Sequence, residues 1–424
     1  MNRIVCFPAN SAPSSLENGV LYFELCSHKL EKHPGLGFVS SRLFAELRKN
    51  GIQPSTEAFD FLLISLSAIA ADKSVLRRDS IDGWTRVFEL VIYLREPEKW
   101  ELVRQRIEKM LGFISGDHWK LSFRSATKTS TPEIKNPSEH DHDCICLLSG
   151  GTDSLVGAID LVSNGRNPFF VSQVVRGESN NQRDFASLFG SNNQYQFSCS
   201  VNHDGANETS TRARSLAFFA YALLASCSIK APASGRKEIV VPENGFISLN
   251  IPMDNCRLGS LSTKTTHPIY MSQLQSIWND VGLNVDLVTP YKYKTKGEIL
   301  KECKNPELLI KNVFKTVSCG KYRVHNLQHC GCCVPCLVRR ASFFAAGIDD
   351  YTNKDYLHRD LKYAGSLDVS AVAFAVMNVE TYGIDRFVAG HLDFATETER
   401  SLYEDMVNRG ITELGNFLWL KGVI

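Results

Sequence analysis

The sequence predicts an α/β protein in which helices cover both faces of a parallel sheet. Short apolar runs alternate with segments of helical apolar spacing after residue 143, and four of them stand out: 144–148, 168–175, 238–241 and 285–290. Strands that are apolar throughout are typical of parallel sheets buried on both faces. A chain of 424 residues, 43% of them hydrophobic, has enough apolar material for a large core and for two or three domains.

Three domains are predicted along the chain. A stretch at 123–143, rich in Ser, Thr, Pro and charge, has the composition of an interdomain linker. It separates an N-terminal domain over residues 1–135 from a central α/β domain over residues 136–350. The remaining residues, 351–424, have mostly helical spacing and form a predicted C-terminal extension.

The N-terminal domain is predicted to be a small α+β unit. Segments 56–69 and 100–113 have apolar residues at helical spacing, whereas 84–94 alternates as a strand does.

Composition and charge exclude several classes of function. Lys and Arg number 47 against 46 Asp and Glu, so the overall charge favours neither nucleic acid nor a membrane surface. No apolar run at the N-terminus suits a signal peptide, which predicts a cytoplasmic protein. The longest apolar run, 216–229, is shorter than the roughly 20 residues that span a bilayer. We expect it to form a buried helix.

A glycine-rich turn joins the first run of the central domain to a helical segment. It consists of Ser149, Gly150, Gly151, Thr152, Asp153 and Ser154. Two adjacent glycines let backbone amides close on a ligand, and the helix N-terminus adds positive potential. The hydroxyls of the turn supply further donors, and no Walker-type Gly-Lys-Ser/Thr is present, which disfavours kinases and GTPases. The pattern predicts an anion site.

A cluster of cysteines predicts a metal site. Four members have the spacing of metal ligands: Cys319, Cys330, Cys333 and Cys336. Four thiolates suit a structural zinc ion, which would pin the loop at 317–337 against the active site and leave no open position for catalysis. The alternatives are a redox pair, an iron–sulfur cluster, or a zinc site in which His325, His329 or Cys332 replaces one sulfur. The spacing of Cys332 disfavours it as a ligand.

The turn sequence SGGTDS resembles the SGGxDS motif of the PP-loop ATP pyrophosphatase family, in the expected place after the first buried strand. The resemblance implies that all six turn residues bind ATP, with Asp153 beside Mg²⁺ and with Asp153 and Ser154 as catalytic residues. Arg214, at the head of the apolar helix, matches a nucleotide-binding arginine of the family, although Ser215 replaces the usual Asn. Lys296 in KGEIL matches a catalytic lysine that meets phosphate charge.

The turn together with the CGCCVPC motif and the segment 337–350 resembles the 7-cyano-7-deazaguanine synthase (QueC-like) family over roughly residues 143–350. In that family ATP adenylates 7-carboxy-7-deazaguanine, ammonia displaces AMP to give the amide, and a second activation gives the nitrile. Activation is needed because a carboxylate is a poor electrophile until its oxygen becomes a good leaving group. By this resemblance the polar segments 243–250 and 256–268 contact substrate, through Asn244, Arg257 and His267.

The long N-terminal domain and helical tail depart from the synthases, and this layout resembles the QatC-type proteins of bacterial anti-phage operons. That resemblance implies transfer of the activated deazaguanine carboxyl to an amine of a partner protein from the same operon. The N-terminal domain, including Trp84 and Arg86, would then be a partner or substrate platform; the alternative is a domain that only packs.

Three other functions are consistent with parts of the sequence. The first alternative is a standalone 7-cyano-7-deazaguanine synthase that uses ammonia. PP-loop enzymes that modify tRNA also carry SGGxDS, but the nearly neutral charge disfavours an RNA-binding face. The intact SGGTDS turn argues against a module that binds a nucleotide without catalysis.

Overall fold

The computed structural model of the protein describes residues 2–9, 11–26, 35–40, 42–127, 133–232, 235–254 and 264–424. Its strands are β1 Asn2–Pro8, β2 Leu21–Leu25, β3 Leu36–Val39, β4 Val87–Leu94, β5 His118–Ser125, β6 Cys144–Leu147, β7 Pro168–Gln173, β8 Gln194–Phe197, β9 Val201–Asn202, β10 Lys237–Val240 and β11 Val285–Val288. Its helices are α1 Leu43–Lys49, α2 Thr56–Ser74, α3 Pro97–Glu101, α4 Arg104–Ser115, α5 Thr152–Ser163, α6 Ser179–Ser187, α7 Arg214–Ser226, α8 Gly245–Leu249, α9 Pro268–Asp280, α10 Lys296–Lys301, α11 Pro306–Asn312, α12 Val334–Ala346, α13 Leu367–Tyr382, α14 Ile384–Val388 and α15 Glu397–Leu420.

The central sheet has five parallel strands in the order β11-β10-β6-β7-β8. The chain therefore builds outward in one direction through β6, β7 and β8, and then reverses to add β10 and β11 on the other side of β6. The predicted α/β class with a parallel sheet is confirmed. In such sheets ligands bind beyond the carboxyl ends of the strands where the order reverses, which here is between β6 and β10.

The N-terminal sheet is also parallel through β5-β4-β1-β2-β3 and ends in the antiparallel strand β9. The predicted α+β class of this region is therefore wrong, because its strands pair in parallel and helices connect β3 to β4 and β4 to β5, as in an α/β unit. The prediction missed β1, β2, β3 and β5. β9 follows the central strand β8 in the chain, and Ser40 N donates to Ser200 O at 3.1 Å where the two regions meet.

Four helices lie between the two sheets. On the N-terminal side α2 packs on β1, β2 and β4 and α4 packs on β5; on the central side α7 packs on β6, β7 and β10 and α9 packs on β11. α2 packs against α7, and the ring of Phe61 in α2 meets the ring of Trp278 in α9 edge-on at 5.5 Å. One apolar core runs from Ile4 through Phe61 to Tyr221 and Ile239. The domain boundaries at residues 135 and 350 stay predictions.

The helices between the sheets follow from their sequences. Ser55 caps α2 by accepting a hydrogen bond from Ala58 N at 3.2 Å. α2 and α7 have buried side chains on nearly every face, because each is covered on both sides. The expected buried helix at 216–229 is confirmed as α7. No helix among the described residues is long and apolar enough to cross a membrane.

The opposite face of the central sheet is covered by α5 and α6, and α10 and α11 pack on α5. Apolar side chains of these helices form a second core with β6 and β7. Residues 351–424, all of which the structure describes, contain three helices and no strand, as predicted. α13 and α15 pack on each other and on α12, and this third core includes the four clustered cysteines. The C-terminal helices therefore pack directly on the cysteine site.

Candidate functional site

The candidate site lies beyond the carboxyl ends of β6 and β10, at the reversal in strand order. β6 leads into the glycine turn and α5, and β10 leads into Glu243 and α8. The turn between β11 and α10 adds Lys296 from a third direction. Segments that are far apart in the sequence thus converge at the place where parallel α/β sheets bind ligands.

The glycine turn has a backbone that its sequence requires. Gly150 has φ +92°, a conformation that side chains with a Cβ rarely adopt. Ser149 Oγ accepts from Gly151 N at 3.3 Å and donates to Ser154 Oγ at 3.2 Å, which in turn donates to Gly151 O at 3.0 Å. Because Gly151 is the N-cap of α5 and has no side chain, it leaves the first amides of α5 uncapped. They can bind an anion.

Asp153 is fixed by two partners from different segments. It lies on the first turn of α5 with 6% of its surface exposed. Lys296 Nζ, at the start of α10, pairs with one oxygen. Asn244 Nδ2 donates to the other oxygen at 2.6 Å, and Asn244 N at 3.2 Å. A buried carboxylate paired with an ammonium and an amide has a defined orientation, which is what a ligand-binding carboxylate needs.

Glu243 is a functional candidate that the sequence analysis named only as part of a polar segment. It precedes Asn244, is partly buried, and its Oε2 accepts from Thr266 Oγ1 at 3.3 Å. Burial and then the negative charge of Asp153 raise the pKa of Glu243 to about 7. Glu243 faces Asp153 because β10 lies beside β6. This proximity depends on the strand order, so the sequence alone did not predict it.

Glu243 should make the stability of the protein depend on pH. The unfolded chain releases this proton near the ordinary pKa of 4.5, whereas the folded protein keeps it up to about pH 7. Its stabilising contribution is therefore full below pH 4.5 and lost as pH rises through 7. We expect the thermal unfolding midpoint of the wild type to fall relative to that of Glu243→Gln over this range. A constant difference between the two midpoints would contradict the assignment.

The four predicted cysteine ligands come together. Their Sγ atoms all lie within 4.8 Å of one another, and all four side chains are buried. Cys330 N donates to Cys319 Sγ at 3.4 Å and Cys333 N to Cys330 Sγ at 3.3 Å, as amides do around metal-bound thiolates. The cluster could therefore bind a metal ion such as zinc.

The alternative ligands lie elsewhere. Among the described residues the cluster has no histidine member, and Cys332 does not join it. His329 Nε2 accepts from Ser318 N at 3.2 Å, so this ring holds the loop before the cysteines. The expectation that Cys332 is not a ligand agrees with this geometry.

The cysteine loop is attached to the glycine turn. Val317 N donates to Gly150 O at 3.1 Å. Thr152 Oγ1 lies 3.0 Å from Thr316 Oγ1, so this hydroxyl contacts the segment that leads into the cysteine loop. Arg339, fully buried on α12, donates to Thr316 Oγ1 at 2.7 Å and to Thr152 Oγ1 at 3.4 Å. Disorder around the cysteines should therefore disturb the glycine turn, because the two segments are in direct contact.

Arg214 is the first residue of α7. It is partly buried, and its charged neighbours are Arg323 of the cysteine loop and Glu178, which lies against Gly150. Burial and then the charge of Arg323 lower the pKa of Arg214. Two guanidinium groups near one carboxylate leave net positive charge beside the turn, which favours an anionic ligand.

The remaining predicted substrate residues have different surroundings. Arg257 lies outside the described residues. His267 caps α9 by accepting from Ile269 N at 3.2 Å, and its ring packs between Phe113 and Phe394. Burial lowers the pKa of His267 to about 4, so the ring is neutral. A packing role accounts for His267, whereas Asn244 does contact the site.

Arg86 belongs to a buried ionic network, and the ring of the partly buried Trp84 packs on the guanidinium of Arg77, which pairs with Asp117 of that network. The side chain of Arg86 is fully buried and pairs with Asp72 at 2.6 Å and Asp117 at 2.7 Å, so it is not available to a partner at the surface. Asp72 also accepts from Arg212 N at 2.6 Å, immediately before α7. Arg86 therefore helps to fix the N-terminal region to the helix that begins at Arg214.

Comparison of the chain with family models, with curated proteins and with solved structures finds no significant match. The fold and site define an α/β protein with a glycine turn and an uncapped helix N-terminus where its parallel strands reverse order, beside a four-cysteine cluster.

Proposed function

We propose that the protein is a PP-loop enzyme that uses ATP to adenylate a carboxylate of the 7-carboxy-7-deazaguanine type and then passes the acyl group to an amine. The observation that carries this proposal is the position of the SGGTDS turn where the strand order reverses, with Asp153 held by Lys296 and Asn244. A turn of this composition and location is suited to a triphosphate.

The residues at this site have the charges that adenylation requires. The uncapped amides of α5 suit the pyrophosphate that leaves, and Lys296 and Arg214 supply positive charge beside it. Asp153 and Glu243 are the carboxylates that would hold Mg²⁺, a hard cation that prefers oxygen ligands. When bound, Mg²⁺ neutralises charge that develops on the phosphates. Ser154 supports the turn through its bond to Gly151.

The cysteine cluster fits a structural zinc ion best. Four sulfurs about 2.3 Å from a tetrahedral ion lie about 3.8 Å apart, and the Cys330–Cys336 and Cys319–Cys333 Sγ pairs are both 3.9 Å apart. All four sulfurs lie within 4.8 Å of one another, a spacing that suits a single ion better than a cluster of iron and sulfide atoms. Four protein ligands leave no open position, so the ion would hold the loop that contacts Gly150 and Thr152.

The acyl acceptor that we propose is an amine on a partner protein, in the setting of bacterial anti-phage defence. Support comes from the layout of the chain: a large N-terminal α/β region packs on helices α7 and α9, which cover the central sheet, and a helical tail packs on α12 and α10. The competing acceptor is ammonia, which would make the protein a standalone synthase of the amide or nitrile. Both acceptors, the partner-protein amine and ammonia, would react with the same acyl adenylate.

The first test measures the products. Purified protein is incubated with Mg-ATP and 7-carboxy-7-deazaguanine, with and without ammonia and with and without the candidate partner protein. We expect AMP and pyrophosphate in equal amounts, and an acyl product whose mass identifies the acceptor. Release of ADP, or absence of AMP with every carboxylate and acceptor tried, would contradict the proposal.

A further inference from the structure

The long C-terminal helix α15 contacts the start of α10, which carries Lys296. Thr295 caps α10 in a capping box with Glu298, and the Thr295 hydroxyl also donates to the carboxylate of Glu413 in α15. The same carboxylate lies directly on Gly297, where a Cβ would overlap it, and accepts from Ser342 Oγ of α12 at 3.4 Å. Glu413 therefore contacts the residues on both sides of Lys296.

A second residue of α15 holds the other half of the capping box. Arg409 Nε donates to Glu298 Oε1 at 2.5 Å, and Arg409 Nη2 donates to Tyr293 O at 3.0 Å. Glu298 Oε2 in turn accepts from Thr295 N at 2.8 Å. The side chains of Arg409 and Glu413 lie one turn apart on α15, so one face of this helix holds the first turn of α10 from two directions.

α15 also packs on the helix that follows Asn244. Gly410 lies against the ring of Phe246, with no space for a Cβ, and Met406 packs beside Gly245. Asn244 is the N-cap of α8 and the amide donor to Asp153. The two residues that fix Asp153, Lys296 and Asn244, are thus both carried by helices that pack against α15.

We propose that Glu413 and Arg409 are positioning residues, and that α15 holds Lys296 and Asn244 in register with Asp153. Burial raises the pKa of Glu413 above its ordinary value, because its carboxylate is poorly solvated where it binds Thr295. The inference rests on the proposed function for the catalytic role of Lys296. The position of the Lys296 side chain can be tested without measuring turnover.

The test compares Glu413→Ala, Glu413→Gln and Glu404→Ala with the wild type in the full-length protein. Trace acetylation with acetic anhydride, followed by mass spectrometry, reports how accessible each lysine amine is. Glu404 is the matched control, because it is a carboxylate on α15 whose partner is Arg400 one turn away. Glutamine keeps one oxygen that can accept from the Thr295 hydroxyl, while an amide donor replaces the oxygen that faces Ser342, so it is the conservative variant.

In Glu413→Ala we expect acetylation of Lys296 to rise at least about fivefold, the factor that follows from a modest local loss of stability. Other lysines should react as before, and Glu413→Gln and Glu404→Ala should stay within about twofold of the wild type. If AMP formation is present, its kcat/KM should fall about 10- to 100-fold in Glu413→Ala, as expected for a misplaced catalytic group.

Equal acetylation of Lys296 in Glu413→Ala and the wild type would overturn the positioning role, even if the variant melts at a lower temperature. An equal rise in Glu404→Ala would do the same, because it would show a general loosening of the helix. If the wild type forms no AMP, the proposed function fails, and the acetylation of Lys296 still decides whether α15 positions this residue.

Discussion

Replacement of Asp153 by asparagine is expected to lower the rate of AMP formation by at least about 100-fold, the usual effect of removing one group that stabilises transition-state charge. Asp153 lies on the first turn of α5, and both its oxygens are engaged by Lys296 and Asn244. Its substitution removes the negative charge proposed to face Mg²⁺. The rate is measured as AMP released under saturating Mg-ATP and carboxylate.

The same substitution leaves Lys296 buried without its counter-charge, and loss of one partner of a buried ion pair is strongly destabilising. The double variant Asp153→Asn with Lys296→Met removes both charges and should recover part of the lost thermal stability without recovering AMP formation. Asp160→Asn is the matched control, because Asp160 lies on the same helix and accepts from Tyr291 Oη at 2.6 Å. Near-normal AMP formation in the double variant would contradict the role of Asp153.

Replacement of Cys333 by serine is expected to abolish the binding of one zinc ion per chain and to lower the thermal unfolding midpoint by at least about 5 °C. The cluster lies within the core formed by α12, α13 and α15, so loss of the ion leaves buried thiols with no common partner. AMP formation should fall as well, because Val317 and Thr316 of this loop contact the glycine turn.

Cys332→Ser provides the control for Cys333. The two residues are adjacent and both are buried, but Cys332 lies outside the cluster of four. Metal analysis should show about one zinc per chain in Cys332→Ser and in the wild type, and none in Cys333→Ser. Unchanged zinc content in Cys333→Ser would show that the ligand set is wrong. Iron in place of zinc in the purified wild type would exclude the zinc assignment.

The parts of the fold that the sequence predicted are those whose local pattern has one physical explanation. β6 and the first four residues of β7 are buried and apolar without interruption, and the SGGTDS turn marks where β6 ends. β10 and β11 are less apolar, since they include Lys237, Glu238 and Asp286. By contrast β8, with the sequence Gln-Tyr-Gln-Phe, alternates over only four residues. A pattern that short does not distinguish a strand from a loop.

The class of the N-terminal region was predicted wrongly for a related reason. Parallel pairing is a property of long-range topology, and β1 and β4, which are paired neighbours, are separated by β2, β3, α1 and α2 in the chain. The cysteine spacing, in contrast, placed all four members of the cluster correctly, because three of them lie within seven residues and share a single local geometry.

The contacts that complete the site join distant parts of the chain. Lys296 and Asp153 are 143 residues apart, and Thr295 and Glu413 are 118 residues apart. Glu243 has no motif of its own and gains its significance from the strand order. His267 was predicted from its polar surroundings, but a histidine before a helix is also a cap, and the rings of Phe113 and Phe394 that enclose it come from remote segments.

The central claim, attack of a carboxylate oxygen on the α-phosphorus of ATP, is tested most directly by oxygen transfer. The protein is incubated with Mg-ATP and 7-carboxy-7-deazaguanine labelled with ¹⁸O in both carboxylate oxygens, with hydroxylamine present to accept the acyl group. One carboxylate oxygen stays on phosphorus when the acyl group leaves, so AMP should carry a single ¹⁸O atom and the hydroxamate should retain the other. Unlabelled AMP would mean that water attacks ATP, and would contradict the account.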